Sequence, residues 1–216
     1  MQFDLAQTDA LLTTTRAVRK RLDFDRPVPR EIVNECLEIA VQAPTASNSQ
    51  TWRWMVIDDA DTRKEIARIY RLAMDDRRKV VEPWDHTKAD EEISDQTVRV
   101  LDSAGYLREN LERVPVLVIP CVEGRPAPDA SPGSLAATYG SIMPAIWNFQ
   151  LALRSRGLGS VFTSVLGFRE RDVAELLGIP DDVMQCAMIP VAYTRGTDFK
   201  PASRPPVSEV THWNEW

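Results

Sequence analysis

Apolar positions along this chain recur with two periods, and together they mark an alternation of helices and strands. Over residues 30–42, Ile32, Val33, Cys36, Leu37, Ile39, Ala40 and Val41 return at helical spacing, and Pro44 stops the run. Residues 8–20 read as an earlier helix, set apart by Pro27 and Pro29. Trp52 to Ile57 reads as a strand, and Asp61 is placed to cap a helix running to about Arg78. The helical period resumes over 96–112. Val114 to Val122 is an apolar run of the kind that forms a buried central strand. After a turn-rich loop at 124–133, residues 135–156 are apolar on nearly every face, so this helix must be covered all round, by its own subunit or by a second one. Gly157-Leu158-Gly159 turns the chain into a strand over Ser160 to Val165. Glu170 to Leu177 is a short helix ended by Gly178 and Pro180, and Met184 to Tyr193 is a further strand.

Two segments stand outside that pattern. Residues 79–95 are polar with few apolar anchors and read as a mobile surface excursion, placed to cover a site and select what enters. From about residue 196 to 216 the chain holds Pro201, Pro205, Pro206, Trp213 and Trp216, too many prolines for a helix and too apolar for a free tail. An arm docked on its own or a partner subunit is expected. The sum is one α+β domain over 1–216, a mixed central sheet flanked by helices.

Composition narrows the class. The chain is 44% hydrophobic and 27% charged, in the range of soluble globular proteins, and no stretch reaches the length of a membrane span. The basic residues near the N-terminus follow the first weakly apolar stretch rather than precede it, which predicts a cytoplasmic protein. Cys36, Cys121 and Cys186 fit neither disulfide nor zinc spacing and read as small buried residues in a reducing compartment. A net charge of −6 argues against nucleic-acid binding. Against that background Arg16, Arg19, Lys20, Arg21, Arg26 and Arg30 cluster around only Asp23 and Asp25. Such a cluster suits one small anionic ligand, or else a solvated helix end.

The usual catalytic equipment is missing. His86 and His212 lie in the excursion and the arm, and no GxSxG, HExxH, P-loop or GxGxxG motif occurs. That points to a cofactor bringing its own reactivity, or to no catalysis. Four separated segments carry the positive signal. They are Thr15-Arg16-Ala17-Val18-Arg19-Lys20-Arg21 and, between helix and strand, Ala43-Pro44-Thr45-Ala46-Ser47-Asn48-Ser49-Gln50-Thr51-Trp52. The others are Arg156-Gly157-Leu158-Gly159-Ser160 with Phe162-Thr163-Ser164-Val165, and Arg204-Pro205-Pro206 in the arm.

In this order the segments resemble the FMN-dependent nitroreductase family across essentially the whole chain. Ala17 stands where that family often has serine, Thr51 where it has proline, and Ala202 and Ser203 where a lysine is common. The resemblance implies a nitroreductase-like α+β fold and an intertwined homodimer with two FMN molecules at the interface. NADH or NADPH would be the electron donor. It places Arg16, Ala17 and Arg204 at the FMN phosphate, where the planar guanidinium fork gives bidentate bonds. Arg19 goes to the ring edge that becomes negative on reduction. Pro44, Thr45, Ala46 and Asn48 would wrap the partner subunit's flavin, and Thr163, Ser164 and Val165 would lie near N5. The activity implied is two-electron transfer from NAD(P)H to an electron-poor small molecule such as a nitroaromatic or quinone, by a ping-pong route, with no side-chain acid or base. Dehalogenation or dehydrogenation on the same fold, or a low-turnover flavin-binding protein, are the alternatives.

Overall fold

The computed structural model describes residues 2–80 and 95–216. The excursion expected at 79–95 lies outside them except at its ends: Lys79 and Val80 close a helix, and Asp95 opens the next.

The first helix, α1 (Leu5–Thr14), is capped by the Asp4 carboxylate, which accepts from the Gln7 backbone N–H at 3.1 Å. It ends six residues before the expected Lys20. Thr13, Thr14 and Thr15 turn their hydroxyls back onto the carbonyls four residues earlier, and β-branched threonines propagate a helix poorly. The chain then becomes extended: Ala17 bridges Ser160 in parallel, and buried Val18 donates its N–H to the Ser160 carbonyl at 2.9 Å. A short strand that periodicity did not show, β1 (Leu22–Asp23), follows.

Helix α2 (Arg30–Ala40) matches its pattern and buries Val33, Cys36 and Ala40 along one face. Strand β2 (Trp52–Ile57) leads to α3 (Ala60–Val80), α4 (Asp95–Asn110) and the buried strand β3 (Val116–Glu123). Helix α5 (Pro132–Ser155) starts inside the expected loop, because the Ser131 hydroxyl accepts from Ser134 N–H and Pro132 suits the first turn. β4 (Leu158–Ser160) lies earlier than the expected strand 160–165. Thr163 makes only a bridge to Met188, and Val165 opens a 3-10 helix to Arg169. After α6 (Glu170–Leu177), the strand expected at 184–193 is two, β5 (Val183–Gln185) and β6 (Ile189–Thr194). It breaks where Cys186 N–H turns to the Pro120 carbonyl and Met188 to Thr163.

The sheet runs β1-β6-β3-β2, with β4 on β6 and β5 on β3. All five ladders are antiparallel; the Ala17–Ser160 bridge adds a parallel contact. β3 shows why the sheet is buried on both faces. Val116, Val118 and Val122 face α2 and α5, while Leu117, Ile119 and Cys121 face α3 and α4. Gly159 lets three segments meet: a Cβ there would sit 2.7 Å from Thr194 Cγ2 and 3.0 Å from Val18 Cβ. That approach pins the Arg16–Arg19 segment against β4.

Helix α5 is not covered all round within this chain. Ile142, Ile146, Phe149 and Leu153 are buried, whereas Leu135, Tyr139 and Trp147 are exposed. The arm divides in the same way. Phe199 packs on the core between the Arg21 and Arg154 guanidiniums, but Val207, Val210, Trp213 and Trp216 lie exposed. Among the described residues, no helix is long and apolar enough to cross a membrane.

Candidate functional site

The basic segment, α4, the middle of α5 and the arm enclose a cleft of about 960 Å3. Arg16, Ala17 and Arg19 line it from the extended segment after α1, and Arg204 lines it from the arm. Arg204 lies 185 or more positions from the other three, and two contacts fasten the walls to one another. Arg16 Nη1 donates to the Lys200 carbonyl at 3.0 Å, tying the segment to the arm. Arg19 Nη1 donates to the Ser103 hydroxyl at 3.3 Å, tying it to α4.

The structure also sets the register of the basic run. Residues 19–21 form a turn, closed by the Leu22 N–H onto the Arg19 carbonyl at 3.3 Å, so their side chains leave the chain in different directions. Arg19 faces the cleft, while Lys20 pairs with Asp102 and Arg21 with Asp198 and the Arg195 carbonyl.

Many arginines elsewhere meet carboxylates, as Arg30 does Asp58, Arg53 Glu123, Arg125 Glu170 and Arg169 Asp76, while Arg63 and Arg154 bond backbone carbonyls and Arg26 lies over the Tyr193 ring. In the cleft, Arg16 bonds a backbone carbonyl, Arg204 the Ser203 carbonyl and Arg19 a neutral hydroxyl. Among the described residues none of the three has a carboxylate partner, and no Asp or Glu lines the cleft. Burial lowers the Arg19 pKa below its ordinary value, the nearby Tyr70 opposing this. A partly desolvated guanidinium with no counter-charge is an unmet demand for an anion.

The remaining sequence-derived candidates lie elsewhere. Pro44, Thr45, Ala46 and Asn48 belong to the loop between α2 and β2, and Ala46 faces a separate cavity of about 380 Å3 with Ser134, Thr138 and Ser141. Ser47, Asn48 and Gln50 have φ of 52°, 53° and 50°, left-handed conformations that cost non-glycine residues of order 1 kcal/mol each. The loop is held by Ala46 N–H to Ser141 Oγ at 2.9 Å and Gln50 Nε2 to Asn48 Oδ1 at 2.9 Å.

Thr163, Ser164 and Val165 do not line the cleft. The neighbouring Phe162 does. Thr163 is tied to Met188 and to the buried Tyr70 hydroxyl, Ser164 faces a niche of about 10 Å3, and Val165 packs on the core. Periodicity gave no hint of the cleft's α4 wall, since Gln96, Arg99, Val100 and Ser103 come from a polar helix remote in sequence from every recognised segment. The cysteines stay out of the chemistry. All three are free, and burial pushes their thiols up to about 11 for Cys36 and about 12 for Cys121 and Cys186.

Fold and site together define an α+β protein with a cationic cleft, lined by no Asp or Glu among the described residues, beside a two-faced antiparallel sheet. The model of the nitroreductase family matches residues 12–193, and the chain belongs to that family. A protein named NADH dehydrogenase from Thermus thermophilus is 27% identical over 219 residues, covering 94% of this chain and 97% of its own. An iodotyrosine deiodinase from Thermotoga neapolitana is 26% identical, covering 89% and 88%. Among solved structures, oxidized iodotyrosine deiodinase bound to FMN and 3-iodo-L-tyrosine superposes with a TM-score of 0.71 at 24% identity, covering 95% of this chain and 98% of that one. The FMN-dependent nitroreductase NfnB from Mycobacterium smegmatis, in complex with NADPH, gives 0.70 at 22% identity, covering 98% and 100%. These two likenesses carry the fold.

Proposed function

We propose that the protein is an FMN-dependent oxidoreductase that takes two electrons from NADH or NADPH and delivers them to an electron-poor small molecule such as a nitroaromatic or quinone. The observation that carries this reading is the cleft whose arginines lack carboxylates, in a chain of the nitroreductase family. The residues fit FMN. The cleft's volume is in the range of cofactor sites, its charge opposes a phosphate, and Ala17 leaves room for backbone approach. Arg16 and Arg204 would hold the phosphate and Arg19 the N1/O2 edge of the ring. Bound there, FMN would supply the two-electron redox chemistry that links donor to acceptor. The chain's own work is to bind and orient. Arg19 places positive charge where negative charge develops, and exposed Trp147 and Phe162 offer aromatic faces to a planar partner. No side chain is asked to move a proton.

The protein is further read as a homodimer. Leu135 and Tyr139 on α5, with Val207, Val210, Trp213 and Trp216 on the arm, expose the apolar surface an obligate interface would cover. The Pro44–Asn48 loop, away from its own chain's cleft, is then free to reach the partner's flavin. Small-molecule acceptors are the expected partners, without nucleic acid or membrane, and three free thiols, two buried and one half-buried, suit the cytoplasm. A second reading, reductive dehalogenation, is favoured by the deiodinase among the relatives.

A visible spectrum and an anaerobic titration decide the matter. The purified protein should be yellow, release FMN on denaturation, bleach with NADPH or NADH and recover with a quinone. Release of another chromophore, or a flavin that neither donor bleaches, would refute the reading. Halide release from an iodinated phenol in place of quinone turnover would select the second one.

A further inference from the structure

Helix α4 sets one face into the cleft: Gln96, Arg99, Val100 and Ser103 follow at i, i+3, i+4 and i+7, the spacing of a single helical stripe. Two bonds fasten that helix to the basic segment, Arg19 to Ser103 and Lys20 to Asp102. Arg99 takes part in neither. It is exposed, lines the cleft and, among the described residues, has no hydrogen bond or ion pair. The three guanidiniums already assigned to FMN answer its phosphate and ring edge, which leaves this fourth one without an anion. Resting on the flavin reading above, we propose that Arg99 determines acceptor specificity by binding a carboxylate on an aromatic acceptor, so that the preferred substrates are electron-poor aromatic acids.

Position favours a small carboxylate over the other available anion, the 2′-phosphate of NADPH. Arg99 stands one helical turn before Ser103, a rise of about 6 Å. Ser103 touches Arg19, at the proposed ring edge. An anion at Arg99 therefore lies about one aromatic ring away from the flavin edge, whereas a 2′-phosphate is separated from the nicotinamide by a pyrophosphate and two riboses. Trp147 and Phe162, exposed in the same cleft, supply faces on which the acceptor's ring can pack.

The test compares wild type, Arg99→Gln and Arg99→Lys as FMN-loaded proteins, with 4-nitrobenzoate and its neutral counterpart 4-nitrobenzyl alcohol, at low and high ionic strength. Arg99→Gln is expected to lower kcat/KM for 4-nitrobenzoate about tenfold, mostly through KM, and to change the neutral acceptor less than about twofold. Arg99→Lys should restore part of the loss, salt should erode the wild-type preference, and FMN content and the NADPH-to-NADH ratio should not move. Equal losses on both acceptors, or no loss, would overturn the assignment. So would a loss confined to NADPH, which places the donor's phosphate at Arg99. A wild type that no nicotinamide donor bleaches refutes the oxidoreductase reading instead. Arg99 is then judged by 4-nitrobenzoate binding alone, where equal affinity for wild type and Arg99→Gln counts against it and weaker binding to the variant supports it.

Discussion

Replacing Arg19 with alanine separates a charge that serves the reduced flavin from one that merely holds the cofactor. Arg19 is half-buried, the one hydrogen-bond partner of its side chain among the described residues is the neutral Ser103 hydroxyl, and burial lowers its pKa. At the N1/O2 edge, its positive charge interacts more strongly with reduced than with oxidised flavin, so its loss lowers the reduction potential. A hydrogen bond to a charged group contributes about 1.5–3 kcal/mol. For a two-electron couple 1.4 kcal/mol corresponds to about 30 mV, so Arg19→Ala should lower the potential by about 30–65 mV. The low end is favoured because the side chain is still reached by water. Reduction by NAD(P)H should slow about tenfold for each 1.36 kcal/mol that appears in the barrier. Arg16 is exposed and bonds the Lys200 carbonyl. A phosphate carries the same charge in both redox states, so Arg16→Ala should weaken FMN binding about tenfold and leave the potential of the bound flavin nearly unchanged. The assays are a spectroelectrochemical or dye-equilibration titration and an FMN dissociation constant for each variant, with Arg19→Lys as the charge-conserving control. If Arg19→Ala loosens FMN while its potential stays at the wild-type value, Arg19 does not touch the ring edge and the reasoning fails.

Three further outcomes follow from packing and linkage. Phe149 is fully buried against Trp54, at 5.6 Å between ring centroids, so Phe149→Ala should cost about 3–5 kcal/mol in urea denaturation; a loss under about 1 kcal/mol would show that α5 collapses onto the space. Gly159→Ala pushes a Cβ toward Thr194 and Val18, and should cost about 1–3 kcal/mol and weaken FMN retention by displacing the Arg16–Arg19 segment; unchanged melting and affinity would refute that coupling. Burial raises the Glu170 pKa, but Arg125 and the Gln185 N–H outweigh it and leave the carboxyl below its ordinary 4.5. A depressed carboxylate contributes stability above its unfolded pKa, and that contribution fades as pH falls through the folded value. Melting temperature should therefore drop below about pH 4.5 more steeply in wild type than in Glu170→Gln, and parallel profiles would disprove it.

Much of the fold was legible from the order of residues alone. Helix α2, strands β2 and β3 and helix α6 were readable because periodic burial and local stop signals, such as Pro44 and Gly178, act over a few residues. The candidate residues were readable as types, since a run of arginines on an acidic chain is a local fact. Where those residues go was not. The threonines that end α1 are local, but the extended course of Ala17 and Val18 after it is decided by β4, whose Ser160 takes the Ala17 bridge and the Val18 N–H. The break between β5 and β6 is decided by Pro120 and Thr163. Which of Arg19, Lys20 and Arg21 faces the cleft depends on Ser103, Asp102 and Asp198, three residues from elements the basic segment cannot signal. Helix α4 was readable from its period, but its role as the cleft wall with Arg99 was not, because a polar helix face reads as solvated surface until something folds opposite it. Local pattern reports the free energy of a segment with water and its near neighbours. The extended segment, the split strand and the cationic cleft are set by contacts between distant segments, and those exist only once the sheet has closed.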